Sequence, residues 1–225
     1  MNENMKSLNL SGYGSCSGGE FYKVKIEGKG TVNGDLKCNI LKISGVAKVN
    51  GNISTEELNN EGVLKITGDT NAKNVEIKGV NKIIGNFRGE ELKCEGTLNV
   101  KNDIEFENIN TTGSITNDGF INCENLTMFL WGTSKCNEIG ASKIIVEGNG
   151  KNSSLFNIFI PKKFKENKLV ASTIEGDDIS LESCTVKIVK GKNIKIGPNC
   201  VIDEVEYSDS IEIDPSSTVK NINKI

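Results

Sequence analysis

Apolar side chains recur along this chain in pairs two residues apart, each pair set off by a short polar stretch, and the pattern returns every 17 residues. One column reads Val32, Val49, Ile66, Ile83 and Val100, with Gly30, Ala47, Leu64, Asn81 and Leu98 two residues before them. A second reads Leu36, Ile53, Thr70, Phe87, Ile104 and Ile121, followed by Cys38, Thr55, Ala72, Gly89, Phe106 and Cys123. A third reads Leu41, Leu58, Val75, Leu92, Ile109 and Leu126, followed by Ile43, Asn60, Ile77, Cys94, Thr111 and Met128. Residues at i and i+2 lie on one face of a strand, so each repeat offers three inward strand faces joined by corners. A period this short, rich in Gly and β-branched residues, predicts one turn of a β-solenoid per repeat. The expectation is an all-β parallel β-helix with a triangular core and about 15–17 residues per turn.

Glycine marks the corners at Gly28, Gly45, Gly62, Gly79, Gly96 and Gly113, and again at Gly34, Gly51, Gly68, Gly85 and Gly119. Tight bends that demand positive φ account for both series in this reading. Asp35, Asn52, Asp69, Asn86 and Asp103 follow the second series and read as turn formers. Residues 1–11 read as a short tail and 12–148 as solenoid turns. Residues 149–168 read as a loop excursion, and 169–225 as further turns of the same domain on a shorter step.

Composition narrows the function. At 225 residues and 36% apolar content the chain can bury a continuous linear core, and a net charge of −3 gives no general case for nucleic acid. No run approaches the roughly 18 apolar residues of a membrane span, and Met1 to Leu10 lacks the basic start and apolar run of a leader, so the cytosol is the expected compartment. Five of the seven Cys (Cys38, Cys94, Cys123, Cys184, Cys200) fall at inward positions and read as buried, reduced thiols. Histidine is absent, which removes Ser-His and Cys-His chemistry. Asp177 and Asp178 form the one adjacent Asp pair, but neighbours on a strand face opposite ways, which argues against a shared catalytic role. No catalytic, metal or cofactor residue is assigned.

The repeated unit, as in Gly28-Lys29-Gly30-Thr31-Val32-Asn33-Gly34-Asp35-Leu36 and Gly45-Val46-Ala47-Lys48-Val49-Asn50-Gly51-Asn52-Ile53, resembles that of the bactofilins, bacterial polymer-forming cytoskeletal proteins. The segments from Ile174 to Ile179 and from Gly191 to Pro198 are similar to a longer Gram-positive subgroup. The resemblance implies a right-handed β-helix that polymerises end to end without nucleotide and scaffolds cell shape, envelope or motility functions.

A bare solenoid end exposes open strand edges and a section of apolar core. The residues expected at or beside such a self-assembly interface are Leu10, Val24 and Ile26 at one end and Ile211, Ile213, Val219 and Ile222 at the other. The excursion supplies Phe156, Phe159, Ile160, Lys162, Lys163, Phe164 and Lys165, a set suited to a protein partner or to peripheral contact with the inner membrane surface. Asp203, Glu204, Glu206, Asp209, Glu212 and Asp214 read as an acidic strip without compensating Lys. The leading function is a non-enzymatic, nucleotide-independent, self-assembling cytoplasmic scaffold. A monomeric adaptor that grips a partner through 149–168 is the alternative, and a carbohydrate-active β-helix enzyme stands third.

Overall fold

A computed structural model describes residues 6–148 and 167–225, and every regular element in them is a β-strand. Every strand pairing among them is parallel. The fold is a β-solenoid whose strands belong to two compact units, Met1–Glu107 and Asn108–Ile225. The boundary falls inside the stretch read as uninterrupted turns.

The first unit holds β1 (Leu8–Leu10), β2 (Tyr13–Ile26), β3 (Lys29–Ile43), β4 (Val46–Asn50), β5 (Ile53–Asn60) and β6 (Val63–Ile66). It continues with β7 (Thr70–Ile77), β8 (Val80–Ile83), β9 (Phe87–Arg88), β10 (Glu91–Cys94), β11 (Thr97–Val100) and β12 (Ile104–Glu105). From β3 onward each residue pairs with the one 17 later, for example Val49 with Ile66 and Ile66 with Ile83. Like therefore stacks on like at about 4.8 Å, and the strand hydrogen bonds run from coil to coil. The inward columns are buried as the pattern predicts, and each large aliphatic side chain taken from water contributes about 1.5–3 kcal/mol. Phe87 and Phe106, one coil apart, meet edge to face in the core, with ring centroids 4.9 Å apart.

The glycine corners are there for a different reason from the one expected. Gly45, Gly62, Gly79 and Gly96 do not adopt positive φ; in the first unit only Gly12, Gly19 and Gly34 do. A Cβ on each of the four would instead collide with the carbonyl oxygen of the corner glycine one coil back. Close approach of successive backbones, not bend geometry, selects glycine here. The Asp and Asn after the second glycine series are turn residues with an added duty. The side-chain oxygen of Asp35 accepts the Asn52 N–H at 2.7 Å, Asn52 accepts that of Asp69 at 2.8 Å, and Asp69 accepts that of Asn86 at 2.7 Å. The series continues with Asn86 accepting the Asp103 N–H at 3.3 Å.

The second unit holds β13 (Asn108–Leu130), β14 (Thr133–Glu147), β15 (Lys168–Leu181), β16 (Cys184–Ile196), β17 (Val201–Ile213) and β18 (Thr218–Lys224). Its register is less uniform. Leu169 pairs with Cys184 at the expected step of 15, while bulges interrupt β13 against β14 and β16 against β17. Two of its corners use non-glycine residues at positive φ, Ser183 at 54° and Asn199 at 61°. Its core is aliphatic, including Ile144, Val146, Ile174, Ile179, Val189, Ile194 and Val205.

Candidate functional site

The sequence places its candidate interface at the first and last coils, and each can be built from its own unit. In the second unit the inward columns are closed until the last layer. Ile202 and Val205 of β17 are fully buried, but the residues stacked on them from β18, Val219 and Ile222, are half-buried and 48% exposed respectively. On the neighbouring face Ile194 and Ile196 are buried while their partners Ile211 and Ile213 emerge, Ile213 to 36%. Ile225 adds a fifth apolar side chain, 74% exposed, with its N–H donated to the Tyr207 carbonyl. Among the described residues β18 pairs only with β17, so one edge of β18 carries unpaired N–H and C=O groups.

In the first unit the outer layer holds Leu10, with Val24 and Ile26 in the layer directly beneath it. β1, within the stretch read as a tail, pairs Leu8 with Val24 and Leu10 with Ile26. Val24 and Ile26 are therefore fully buried second-layer residues, and Leu8 and Leu10 form the half-buried outer layer. Leu10 also reaches over the space left by Gly14 and Gly30, where a Cβ would meet its methyl groups. Among the described residues β1 has no strand on its other side.

The acidic strip differs from its expected form. Lys220 pairs with Asp203 at 2.6 Å and Lys190 with Glu206 at 2.8 Å, so two of its six carboxylates have a cation beside them. Asp214 accepts hydrogen bonds from the hydroxyl and backbone N–H of Ser216, which hold its carboxyl below the ordinary aspartate range. Asp177 pairs with Lys192 at 3.0 Å while Asp178 accepts from Asn193 at 3.0 Å, so the two adjacent carboxyls are engaged with different partners. The partner-loop residues Phe156, Phe159, Ile160, Lys162, Lys163, Phe164 and Lys165 lie outside the described residues.

Thiols at inward positions are buried as read, joined by Cys136, and burial pushes Cys123 and Cys136 up to about 12. One arrangement went unread in the sequence. Leu169 pairs with Cys184 and Thr185 with Val201, which stacks Cys184 and Cys200 in consecutive coils. Their mutual hydrogen bond raises Cys184 and lowers Cys200. A shared step of 16 was the signal. No three His, Cys, Asp or Glu side chains among the described residues converge as a metal-ligand set. No helix among them is long and apolar enough to cross a membrane.

The chain is 37% identical over 92 residues to the uncharacterized protein YhbF of Bacillus subtilis (strain 168), a match covering 41% of this chain and 35% of that protein. It is 44% identical over 57 residues to the uncharacterized protein YhbE of the same strain, covering 25% of this chain and 24% of that protein. The matches thus span about a third and a quarter of those relatives. No family model and no solved structure matches the chain.

Proposed function

We propose that this protein is a non-enzymatic, self-assembling scaffold of the bactofilin type, a right-handed solenoid whose copies join through uncovered terminal coils without nucleotide. The observation that carries the reading is the last layer of the second unit. Its inward columns, buried in every coil before, open to solvent at Ile211, Ile213, Val219 and Ile222 beside an open strand edge. A docking coil from a second copy would complete those hydrogen bonds and bury the four side chains, at about 25 cal/mol per Å² of apolar surface removed from water. The layer of Leu8 and Leu10 in the first unit supplies a surface of matching chemistry. A head-to-tail contact between two different surfaces propagates into a filament when its rotation does not close a ring.

The test is negative-stain electron microscopy of the purified protein with no nucleotide or metal added. Filaments are expected for the parent chain, and Ile213→Asp or Ile222→Asp should abolish them while leaving a folded particle. Dispersed short particles at high protein concentration in several salts would sink the reading.

A further inference from the structure

The outward columns of the first unit are not alike. On two of its three faces charges sit beside their opposites. Glu20 meets Lys37 at 3.2 Å, Lys73 meets Glu90 at 3.1 Å and Arg88 meets Glu105 at 3.0 Å on one face. Lys25 meets Glu27 at 2.6 Å, Glu76 meets Lys78 at 2.8 Å and Lys93 meets Glu95 at 2.9 Å on another. The third face, built from the start of β3 with β4, β6, β8 and β11, breaks the rule. Lys48, Lys65 and Lys82 stack in three successive coils between Thr31 and Asn99; Lys29, opposite Val46, lies in the coil before and Lys101, just past β11, in the coil after. No other outward column of this unit stacks three like charges in a row, and no Asp or Glu occurs in those five strand segments. None of the five lysines is in an ion pair among the described residues.

Two residues before each stacked lysine, on the same face, stands a valine. Val46, Val63 and Val80 are in register and 46%, 43% and 44% exposed. An apolar column therefore runs beside a cationic one with the same repeat. Like charges stacked at about 4.8 Å repel, so the lysine column costs the isolated chain stability, and the valine column beside it leaves nearly half of each side chain in water.

We infer that this face docks an acidic amphipathic helix of a partner protein, laid along the coil axis with an apolar ridge on Val46, Val63 and Val80 and a line of carboxylates against Lys48, Lys65 and Lys82. The periods agree. One helical turn advances about 5.4 Å and one coil about 4.8 Å, a drift of about 1 Å across the three lysines, which flexible side chains absorb. The relief agrees too. A lysine carries its charge on a four-carbon stem whereas a valine ends at its first branch, so the valines form a floor below the lysine tips. A convex helix reaches floor and tips together. A flat bilayer meets the tips first, and a bare phosphate polymer has no use for the floor.

The probe is a dye-labelled synthetic 15-residue helix with Glu and Leu stripes at i, i+3/i+4 and i+7 spacing, titrated by fluorescence anisotropy with the full chain. Saturable binding is expected, weakened at least tenfold by the combined change Lys48→Gln, Lys65→Gln and Lys82→Gln and about threefold by Val63→Ser. All four side chains are exposed, so circular dichroism should show the fold retained in each variant. As a check independent of folding, reversing the three lysines to Glu should restore binding to a peptide whose Glu are replaced by Lys. Absence of saturable binding overturns the proposal. So does binding indifferent to Val63→Ser and equal for a scrambled peptide of the same charge. Anionic vesicles or polyphosphate displacing the peptide at lower concentration than unlabelled peptide would assign the face to those ligands instead.

Discussion

The two units of this protein solve one packing problem by different means. In the first, coils from β3 onward repeat at 17 residues and approach so closely at Gly45, Gly62, Gly79 and Gly96 that the backbone of one coil occupies the place of a side chain in the next. In the second, coils vary in length, bulges take up the difference, and Ser183 and Asn199 turn corners at positive φ without glycine. Backbone contact at glycine is not confined to the first unit, since a Cβ on Gly176 or Gly191 would also meet a carbonyl oxygen one coil back; the difference is that the first unit repeats the contact at one fixed step.

Phe87→Ala tests the first unit hardest. It should cost about 3–5 kcal/mol by emptying the layer shared with Phe106. Amide exchange should show the loss concentrated in β7, β9 and β12, with β15 and β16 spared; uniform loss across both units would break the contrast. Next comes a pair of glycines. Gly79→Ala drives a Cβ into the Gly62 carbonyl and should cost about 3 kcal/mol in urea unfolding. Gly132→Ala, at φ +89° with open space around it, should cost only the strain of its conformation, about 1 kcal/mol. Equal losses would show that bend geometry governs both units after all.

A smaller effect separates the corners. Asn52→Ala removes the acceptor of the Asp69 N–H and should lower stability by about 1 kcal/mol, while Ser183→Gly relieves a positive φ and should raise it by about 0.5 kcal/mol. Opposite signs in thermal melting are the expected result. The least effect is on pH. Because the folded carboxyl of Asp214 is held below its ordinary value by Ser216, its contribution is complete above the ordinary aspartate range and disappears as pH falls through the lowered folded value. Proton exchange at the Ser216 amide should accelerate in acid beyond the intrinsic trend, and Asp214→Asn should remove that acceleration.

Nearly all of the architecture was legible, because a column such as Val32, Val49, Ile66, Ile83 and Val100 repeats a physical environment and hence a residue type. The reason for glycine was not, since a collision with a backbone 17 residues away leaves the same letter as a bend. Val24 and Ile26 were read at or beside the edge, but the strand outside them, Leu8–Leu10, is only three residues long and carries too little pattern to register as one. Ile213 and Ile222 were readable as inward positions because they keep the apolar spacing of the columns beneath them, Ile196 and Val205. The lysine column was hidden by arithmetic. A net charge of −3 averages one unopposed face against others where cations such as Lys73 and Lys78 have an anion beside them.

The corner series Asp35, Asn52, Asp69, Asn86, Asp103 uses two chemically equivalent acceptors in strict alternation, so that no carboxylate sits directly above another. Its natural unit of growth is therefore two coils, not one. Duplicating a single coil would set two charged corners or two neutral ones side by side, while duplicating a pair would leave the alternation intact. Parity, written in a single oxygen-for-nitrogen exchange, governs the lengths to which this part of the gene can be extended without electrostatic cost.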